Sequence, residues 1–275
     1  MRITLWGTRG SIPNAGHSTV RYGGDTASVE VRDSEGHLII LDAGSGIRAI
    51  EASPSDGERI DILLTHLHMD HVQGLPFFTP ILSPDHEVHV WGPVSILSGL
   101  RQLLARYLSP PLFPVTVRDL PNVAFHDVVP GDFEVGSIGV TADLIAHPGM
   151  TLGYRLEENG TSVAYLPDHE PALGMSDFPG HPEWTSGFDL VQGVDVLIHD
   201  SQYTDEEYSA RIGWGHTSFS QLSAFAEMAE VAKLVTFHHD PSHGDDMLDG
   251  VHDDLRAAAN GYEVAAGRAG LVIDV

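Results

Sequence analysis

The segment 66–71, with the sequence His-Leu-His-Met-Asp-His, constrains this chain more than any other feature. It places four side chains that can bind a metal within six consecutive residues, directly after the apolar run 60–64. Imidazole and carboxylate groups that crowd the end of a buried strand lose hydration, and a cation among them offsets that loss. The segment therefore predicts a metal site at a strand end. Its first two histidines face one ion, and Asp70 and His71 can face a second.

Three further ligand candidates follow other β-like runs later in the chain. They are His147, Asp168 and His238, with His239 as the alternative to its neighbour. Together with the segment 66–71 they complete two sites of imidazole and carboxylate ligands. This donor set suits Zn²⁺ and also Mn²⁺ or Fe²⁺. The sequence therefore predicts two divalent metal ions, with zinc as the first expectation.

Composition narrows the chemistry and the partners. None of the 275 residues is cysteine, which excludes disulfides, thiolate ligands, iron–sulfur clusters and a cysteine nucleophile. The 14 Lys and Arg residues against 39 Asp and Glu residues give a formal net charge of −25. Such a surface is expected to repel a polyanion and an anionic membrane, because affinity for phosphate chains comes from basic residues. We therefore expect a small-molecule substrate, no long nucleic acid and no membrane partner.

The arrangement of β-like and helical segments predicts an α/β fold. Eleven short runs rich in Val, Ile and Leu read as strands, and helical periodicity is present over 96–108, after Ser218 and over 246–259. This pattern favours two packed sheets with helices outside, in a single domain over residues 1–275. The start of the chain does not read as a secretory signal, and no long apolar run predicts a transmembrane helix. A cytoplasmic protein is the expectation.

The motifs together resemble the metallo-β-lactamase fold superfamily and, within it, the tRNase Z-like phosphodiesterase branch. The resemblance extends over nearly the whole chain. The matching segments, in chain order, are the glycine-rich turn 6–13, the motif 41–46 with Asp42, the signature 66–71, His147 with 153–155, Asp168 and His238. The resemblance implies a four-layer αββα sandwich of two mixed β-sheets with flanking helices. It also implies a homodimer.

The same resemblance assigns the ligands to two ions that share one carboxylate. The set implied for the first ion is His66, His68 and His147, the set for the second is Asp70, His71 and His238, and Asp168 bridges the two. Two cations so arranged can lower the pKa of a bridging water to about 7 and neutralise charge on a phosphorus centre. The resemblance thus implies hydrolysis by a metal-bound hydroxide.

Three residues are the catalytic candidates. Asp70 can accept a hydrogen bond from the attacking water and so orient it. The leaving alkoxide needs a proton from the opposite side, and histidine is the natural donor near neutral pH. His216, in the segment 213–217, resembles the branch's proposed proton donor, and Asp200 occupies the matching position of the acid that orients it.

These observations predict a dinuclear metal-dependent phosphodiesterase that acts on small phosphodiesters, with 3′,5′-cyclic nucleotides as a first assay. Arg21 and Tyr22 are weighed as phosphate or base contacts against a salt bridge and a packed ring. Two alternatives remain open. The same ligands occur in lactonases and thioesterases of this fold, and a metal-binding sensor without turnover is a third possibility. The pair of His216 and Asp200 favours the phosphodiesterase, because a proton donor matters most for a poor alkoxide leaving group.

Overall fold

The structure is a computed structural model that describes residues 1–52, 59–172 and 174–275. Over these ranges the chain forms strands and helices in the order that an α/β fold requires. The strands are β1 (Arg2–Gly7), β2 (Ser28–Arg32), β3 (Leu38–Leu41), β4 (Arg59–Leu63), β5 (Glu87–Pro93), β6 (Val123–Val128), β7 (Gly131–Val135), β8 (Ile138–Leu144), β9 (Leu152–Glu158), β10 (Thr161–Leu166), β11 (Val196–Asp200), β12 (Lys233–Phe237), β13 (Glu263–Ala265) and β14 (Val272–Asp274). The α-helices are α1 (Met69–Val72), α2 (Leu100–Tyr107), α3 (Phe188–Val191), α4 (Asp205–Ser209), α5 (Phe219–Met228) and α6 (Asp245–Ala258).

The strands form two seven-stranded mixed sheets with matching topologies. The first has the order β14-β1-β2-β3-β4-β5-β6, and the second has the order β13-β12-β11-β10-β9-β8-β7. In the first sheet, β3 to β6 run parallel and the other pairs are antiparallel. In the second sheet, β10 to β13 run parallel and β7 to β10 are antiparallel. Each half of the chain therefore supplies one sheet, apart from β14, which returns to pair with β1.

Apolar residues on both faces of each sheet produce the layered packing. Between the sheets, residues such as Val29 and Leu41 pack with Tyr154 and Phe237 in one core cluster. A second cluster covers the outer face of the first sheet and includes α2, and a third covers the outer face of the second sheet with α3 and α5. Strands buried on both faces read as continuous apolar runs, which is why the sequence reveals them. The predicted sandwich of two mixed sheets with flanking helices is confirmed.

The helix predicted from residue 96 begins later, and that prediction is wrong at its start. Ser95 and Ser98 pair their backbones in a tight turn, with N···O distances of 3.0 and 3.3 Å, so α2 begins at Leu100. Asp127, at the end of β6, accepts the backbone N–H of Leu100 at 2.7 Å and so satisfies one donor of the first turn. The apolar side chains at 96 and 97 are consequently exposed instead of continuing the helical stripe.

Three strands, β6, β7 and β13, escape prediction because they are partly exposed edge strands with polar residues, such as Asp132 and Glu134. Their pairing comes from tertiary contacts. None of the helices in the described ranges is both long and apolar enough to cross a membrane.

The fold brings the ends of several parallel strands to one edge of the sandwich. His66 comes shortly after β4, Asp168 after β10, Asp200 ends β11, and His238 follows β12 directly. Carboxyl ends of parallel strands meet at the same edge of a sheet, where open α/β sheets place their ligand sites. The predicted ligands therefore converge there from both sheets.

Candidate metal centre

The seven predicted ligands form two adjacent groups that share one residue. The groups consist of His66, His68, His147 and Asp168, and of Asp70, His71, Asp168 and His238. In each group one ligand atom per residue lies within 4.8 Å of the others. The shared carboxylate is 2 % exposed and lies between the two groups. This is the arrangement that two neighbouring cations bridged by one carboxylate require.

The spacing of the donor atoms fits metal ions. Four ligands at the usual Zn–N and Zn–O lengths of about 2.0–2.1 Å in a tetrahedron lie about 3.3 Å apart. Here Nε2 of His238 lies 3.2 Å from Asp70 Oδ2 and 3.2 Å from Asp168 Oδ2, and Nε2 of His71 lies 3.4 Å from Nε2 of His238. His147 Nε2 and His68 Nδ1 are 3.2 Å apart. The donors therefore converge on common points.

Two buried polar atoms of the site make no hydrogen bond, which supports the same conclusion. They are Nε2 of His66 and Oδ1 of Asp168. Oδ1 lies 2.9 Å from Nε2 of His71, but the atoms are not aligned as a hydrogen bond. Buried polar atoms are nearly always satisfied, so two unpaired buried atoms within the ligand groups, each able to offer a lone pair, fit a cation site. Among the described residues, this imidazole and carboxylate set fits zinc, manganese or iron.

Asp42, directly after β3, fixes the ligand segment 66–71 through hydrogen bonds. Its buried carboxylate accepts the backbone N–H of Thr65 at 2.8 Å, Nδ1–H of His71 at 2.8 Å and the hydroxyl of Tyr165 at 2.9 Å. The bond to His71 fixes the tautomer that leaves Nε2 free to face the site, a common arrangement behind histidine ligands. Tyr165 comes from β10 of the other sheet, so this contact also ties the two sheets together at the site.

His238 is held by its backbone and by two neighbours. It follows β12 with φ at +57°, in the left-handed region, and its Nδ1 lies 2.8 Å from the side-chain oxygen of Gln202. Gly10 packs directly against the imidazole ring, and a Cβ at that position would collide with it. His239 points away, because its Nε2 donates to the carbonyl of Gly267 at 2.8 Å. Of the two adjacent histidines, the geometry brings His238 to the ligand groups.

The electrostatics of the site favour neutral imidazoles in the group of His66 and His147. In the group of His71, the buried carboxylates favour a positive charge. Burial lowers the pKa of His66 and lowers that of His147 to about 4, so both keep a free lone pair at neutral pH. Burial opposes protonation of His71 as well, but the carboxylates of Asp168, Asp42 and Asp70 raise its pKa well above the ordinary value. Three carboxylates around one imidazole thus favour a positive charge among them, and a metal ion can supply that charge.

The predicted catalytic pair, His216 and Asp200, lies at the border of the two ligand groups. Nδ1–H of His216 donates to Oδ2 of Asp200 at 2.6 Å, and its ring stacks on that of His238 with centroids 5.0 Å apart. Burial lowers the pKa of His216, but Asp200 outweighs this effect and raises it. Asp200 is fully buried and also accepts the backbone N–H of Gln202 at 3.0 Å and of Thr217 at 3.2 Å. The imidazole is therefore oriented with Nε2 available to a substrate.

Glu170 is a functional candidate that sequence reasoning missed. Its carboxylate is fully buried and accepts the backbone N–H groups of Gly213 and Gly215, both at 2.8 Å. The carbonyl of Gly215 in turn accepts Nδ1–H of His147 at 2.8 Å. A glutamate directly after the strand-end pair Asp168-His169 is the sequence signal that could have drawn attention to it.

Arg21 and Tyr22, weighed as substrate contacts, are engaged elsewhere. The guanidinium of Arg21 pairs with Asp246 at 2.6 Å and Asp249 at 2.8 Å on α6. The ring of Tyr22 is 3 % exposed, and its hydroxyl donates to Asp249 at 2.9 Å. Both residues attach the segment before β2 to α6. Arg21 therefore forms a salt bridge and Tyr22 is a packed ring, as the alternative to substrate contact expected.

Comparison with known proteins agrees with this fold and site. A family model described as a Beta-lactamase superfamily domain matches residues 37–239, so the chain belongs to the beta-lactamase superfamily. Ribonuclease Z of Haloarcula marismortui is 22% identical, with 97% of this chain and 94% of that protein covered. The predicted superfamily and its tRNase Z-like branch are confirmed, as is an enzyme of the metal-dependent hydrolase class.

Two solved structures illustrate the shared fold. The metallo-beta-lactamase fold protein YhfI from Bacillus subtilis superposes with a TM-score of 0.72 at 16% identity, covering 99% of this chain and 98% of that one. The short form of human tRNase Z superposes with a TM-score of 0.69 at 20% identity, covering 100% of this chain and 99% of that one. At these sequence identities, the structural similarity establishes the shared fold and nothing further.

The comparisons correct one prediction, namely the exclusion of a long nucleic acid as partner. Proteins named ribonuclease Z align with nearly all of this chain, so that exclusion is wrong. The error lies in using the net charge of −25, which sums over the whole surface. Contact with a phosphate chain depends on the charge within about a Debye length, roughly 8 Å, of the phosphates. Divalent cations bound at the ligand groups would supply positive charge there, whatever the remote surface carries.

Proposed function

We propose that this chain is a dinuclear metal-dependent phosphodiesterase. The observation that carries the proposal is that two four-residue ligand groups share Asp168, with His216 and its partner Asp200 at their border. In the proposal the ligands are His66, His68 and His147 for one ion, Asp70, His71 and His238 for the other, and Asp168 for both. The ions are divalent, with zinc first because imidazole and carboxylate ligands in tetrahedral sets suit it.

When bound, such a pair of cations activates water and neutralises charge on the transferring phosphorus. The protein's own groups orient the reactants. Asp70 accepts the backbone N–H of Ser11 at 2.7 Å through Oδ2, which leaves its other oxygen to orient the attacking water. His216 donates a proton from Nε2 to the leaving oxygen, and Asp200 holds the opposite nitrogen at 2.6 Å. This division of roles matches general acid–base catalysis at a poor leaving group.

Small phosphodiesters, with 3′,5′-cyclic nucleotides among them, are the first substrate class that we propose. Each carries a single charge at the scissile phosphate, which two cations can match locally. RNA is the second candidate, and the observation in its favour is the similarity of the chain to ribonuclease Z over 97% of its length. The same side chains serve both candidates, since both reactions break a P–O bond and release an alkoxide oxygen.

Assays with the metal-loaded protein test the proposal. We expect turnover of bis(4-nitrophenyl) phosphate, of a panel of cyclic nucleotides or of linear dinucleotides, and loss of that turnover in Asp70→Ala. Asp85→Ala, which removes an exposed carboxylate in a loop outside the ligand groups, is the matched control and keeps the activity. Turnover of a thioester or lactone alone identifies the chain as an acyl hydrolase instead. Metal binding without any turnover identifies a sensor.

Two further predictions concern the protein as a whole. We propose a homodimer, by resemblance to the branch, and a cytoplasmic location. Sedimentation in solution tests the first, because a species of 29.7 kDa contradicts it. Cell fractionation tests the second.

A further inference from the structure

A cavity of about 220 Å³ opens directly beside the first ligand group. His66 and His68 of the first ligand group line it, so the cavity borders the candidate metal centre. Three other segments supply its remaining apolar walls. These residues are Pro93, Val94, Leu103, Pro148 and Met150.

The lining of this cavity does not suit a charged group. Among the described residues that form it, none is Lys, Arg, Asp or Glu. The one hydroxyl, on Ser95, lies 3.3 Å from the carbonyl of Ser98 and is engaged locally. A phosphate placed here gives up its hydration without recovering hydrogen bonds. An apolar or aromatic group gains from the same burial, because its removal from water is favourable.

The position of the cavity shows which part of a substrate can reach it. Neither His216 nor Asp70 lines it. The leaving group, which takes its proton from His216, therefore lies outside the cavity. A substituent on the same phosphorus that remains attached after hydrolysis can extend past His68 into it.

We propose that this cavity is a specificity subsite for an uncharged apolar or aromatic substituent on the retained ester of the substrate. The proposal rests on the proposed phosphodiesterase function and narrows its substrate class. A flat ring, such as a nucleobase or an aryl group, fits the chemistry of the walls, because Pro93, Leu103 and Met150 offer apolar surface without competing donors. A diester whose retained substituent is compact and polar leaves the cavity filled with water.

The rim of the cavity supports the same assignment. Met150, which lines the cavity, is 43 % exposed. A large apolar side chain that is partly exposed at the cavity can contact an apolar substituent as it enters. Leu103 is half-buried on α2, whereas Leu100 and Leu104 of the same helix are buried in the core. A substitution at Leu103 therefore alters the cavity without removing the core contacts that hold the helix.

Two substrates with the same leaving group and charge isolate this subsite. They are phenyl 4-nitrophenyl phosphate and methyl 4-nitrophenyl phosphate. For the metal-loaded wild-type protein we expect kcat/KM to be at least about tenfold higher for the phenyl ester, mainly through KM, since burying one ring supplies more than the roughly 1.4 kcal/mol that tenfold requires. Leu103→Asn lowers this ratio several-fold, whereas Leu103→Met keeps it.

A second variant tests the subsite independently, in case Leu103→Asn does not fold. Val94→Thr adds a hydroxyl to the cavity wall at nearly constant shape and lowers the ratio as well. Leu112→Asn, a change at a residue that is 69 % exposed and does not line the cavity, is the control and leaves the ratio unchanged. Equal kcat/KM for the two esters in the wild-type protein overturns the subsite. No turnover of either ester overturns the proposed function instead, so the two failures are distinguishable.

Discussion

Glu170 Oε2 accepts the backbone N–H of Gly215 at 2.8 Å, and this bond fixes the loop that carries His216. Oε1 of the same carboxylate accepts the N–H of Gly213 and the hydroxyl of Tyr208, both at 2.8 Å. Gly215 has φ at +89°, and a Cβ there would collide with Pro148 and His147. One buried carboxylate therefore sets the distance between the proposed acid and the first ligand group.

The first prediction concerns this carboxylate. In the wild-type protein, donors occupy both carboxylate oxygens of Glu170. Glu170→Gln keeps only one acceptor oxygen, so its new NH₂ group faces a backbone N–H that has lost its acceptor. We expect unfolding free energy to fall by about 2 kcal/mol, the cost of an unsatisfied buried donor. We also expect phosphodiester turnover to fall, and the loss to be non-additive with His216→Ala.

A matched change separates positioning from general destabilisation. Tyr208→Phe removes one donor to Glu170 but leaves both glycine N–H groups paired. It is expected to retain most of the turnover. If Glu170→Gln and His216→Ala act additively in a double-mutant cycle, Glu170 does not act through the His216 loop.

The second prediction concerns His216 itself. His216→Ala removes the proposed proton donor, so turnover of a substrate with an alkoxide leaving group is expected to fall by about 10² to 10⁴. A 4-nitrophenyl ester leaves without a proton, and its turnover is expected to fall far less. Rates for the two substrates measured on one preparation check this. Equal losses on both count against the acid role.

The third prediction concerns the ring of His238. Gly10→Ala adds a Cβ where that ring lies, so the ring must move away from Asp70 and Asp168. We expect bound metal, measured by elemental analysis, to fall from two ions per chain toward one. Gly16→Ala is the control, because a Cβ there meets open space. If Gly10→Ala still binds two ions per chain, His238 is not a ligand whose position depends on Gly10.

The fourth prediction concerns metal and stability. Asp42, Asp70 and Asp168 are buried together, and without a cation their mutual repulsion opposes folding. Dialysis against a chelator is expected to lower Tm by several degrees, and Zn²⁺ is expected to restore it, because a ligand that binds the folded state stabilises it. Thermal unfolding with and without chelator measures this. An unchanged Tm after confirmed removal of metal contradicts it.

The fifth prediction concerns Asp61, a buried carboxylate on β4 outside the ligand groups. Its oxygens contact Nε2 of His37 at 2.8 Å, Arg59 Nη2 at 2.7 Å and Trp91 Nε1 at 2.6 Å. Burial raises its pKa, but these partners outweigh burial and hold the pKa below the ordinary value of 3.8. A depressed folded-state pKa adds stability above the unfolded-state value, and that stability is lost as the pH falls below it.

Asp61→Asn is therefore expected to lower unfolding free energy by about 1–3 kcal/mol at pH 7, because it breaks a buried hydrogen-bonded ion pair. The difference from the wild-type protein should stay constant down to about pH 4 and shrink at lower pH. Denaturant unfolding of both proteins across this range measures it. A difference that grows as the pH falls contradicts the assigned pKa direction.

The candidate site illustrates what a sequence can reveal. The segment 66–71 indicated four ligand candidates because they are adjacent in the chain, and strand ends suggested Asp168 and His238 because parallel strands finish at one edge. Buried strands were found for a similar local reason, since burial on both faces makes them continuous apolar runs. Features encoded within a few consecutive residues were therefore predictable, whereas the net charge misled because it carries no spatial information.

Tertiary structure alone decided the rest. The choice of His238 over His239 depends on a left-handed backbone and on Gln202. The carboxylate of Glu170 acquires its two glycine partners from a loop more than 40 residues away. The apolar cavity beside His68 is likewise assembled from segments that are distant in the chain. Hydrogen bonds and cavities depend on which atoms approach in space, so a pattern along one segment determines the ligand candidates but not which residues hold and surround them.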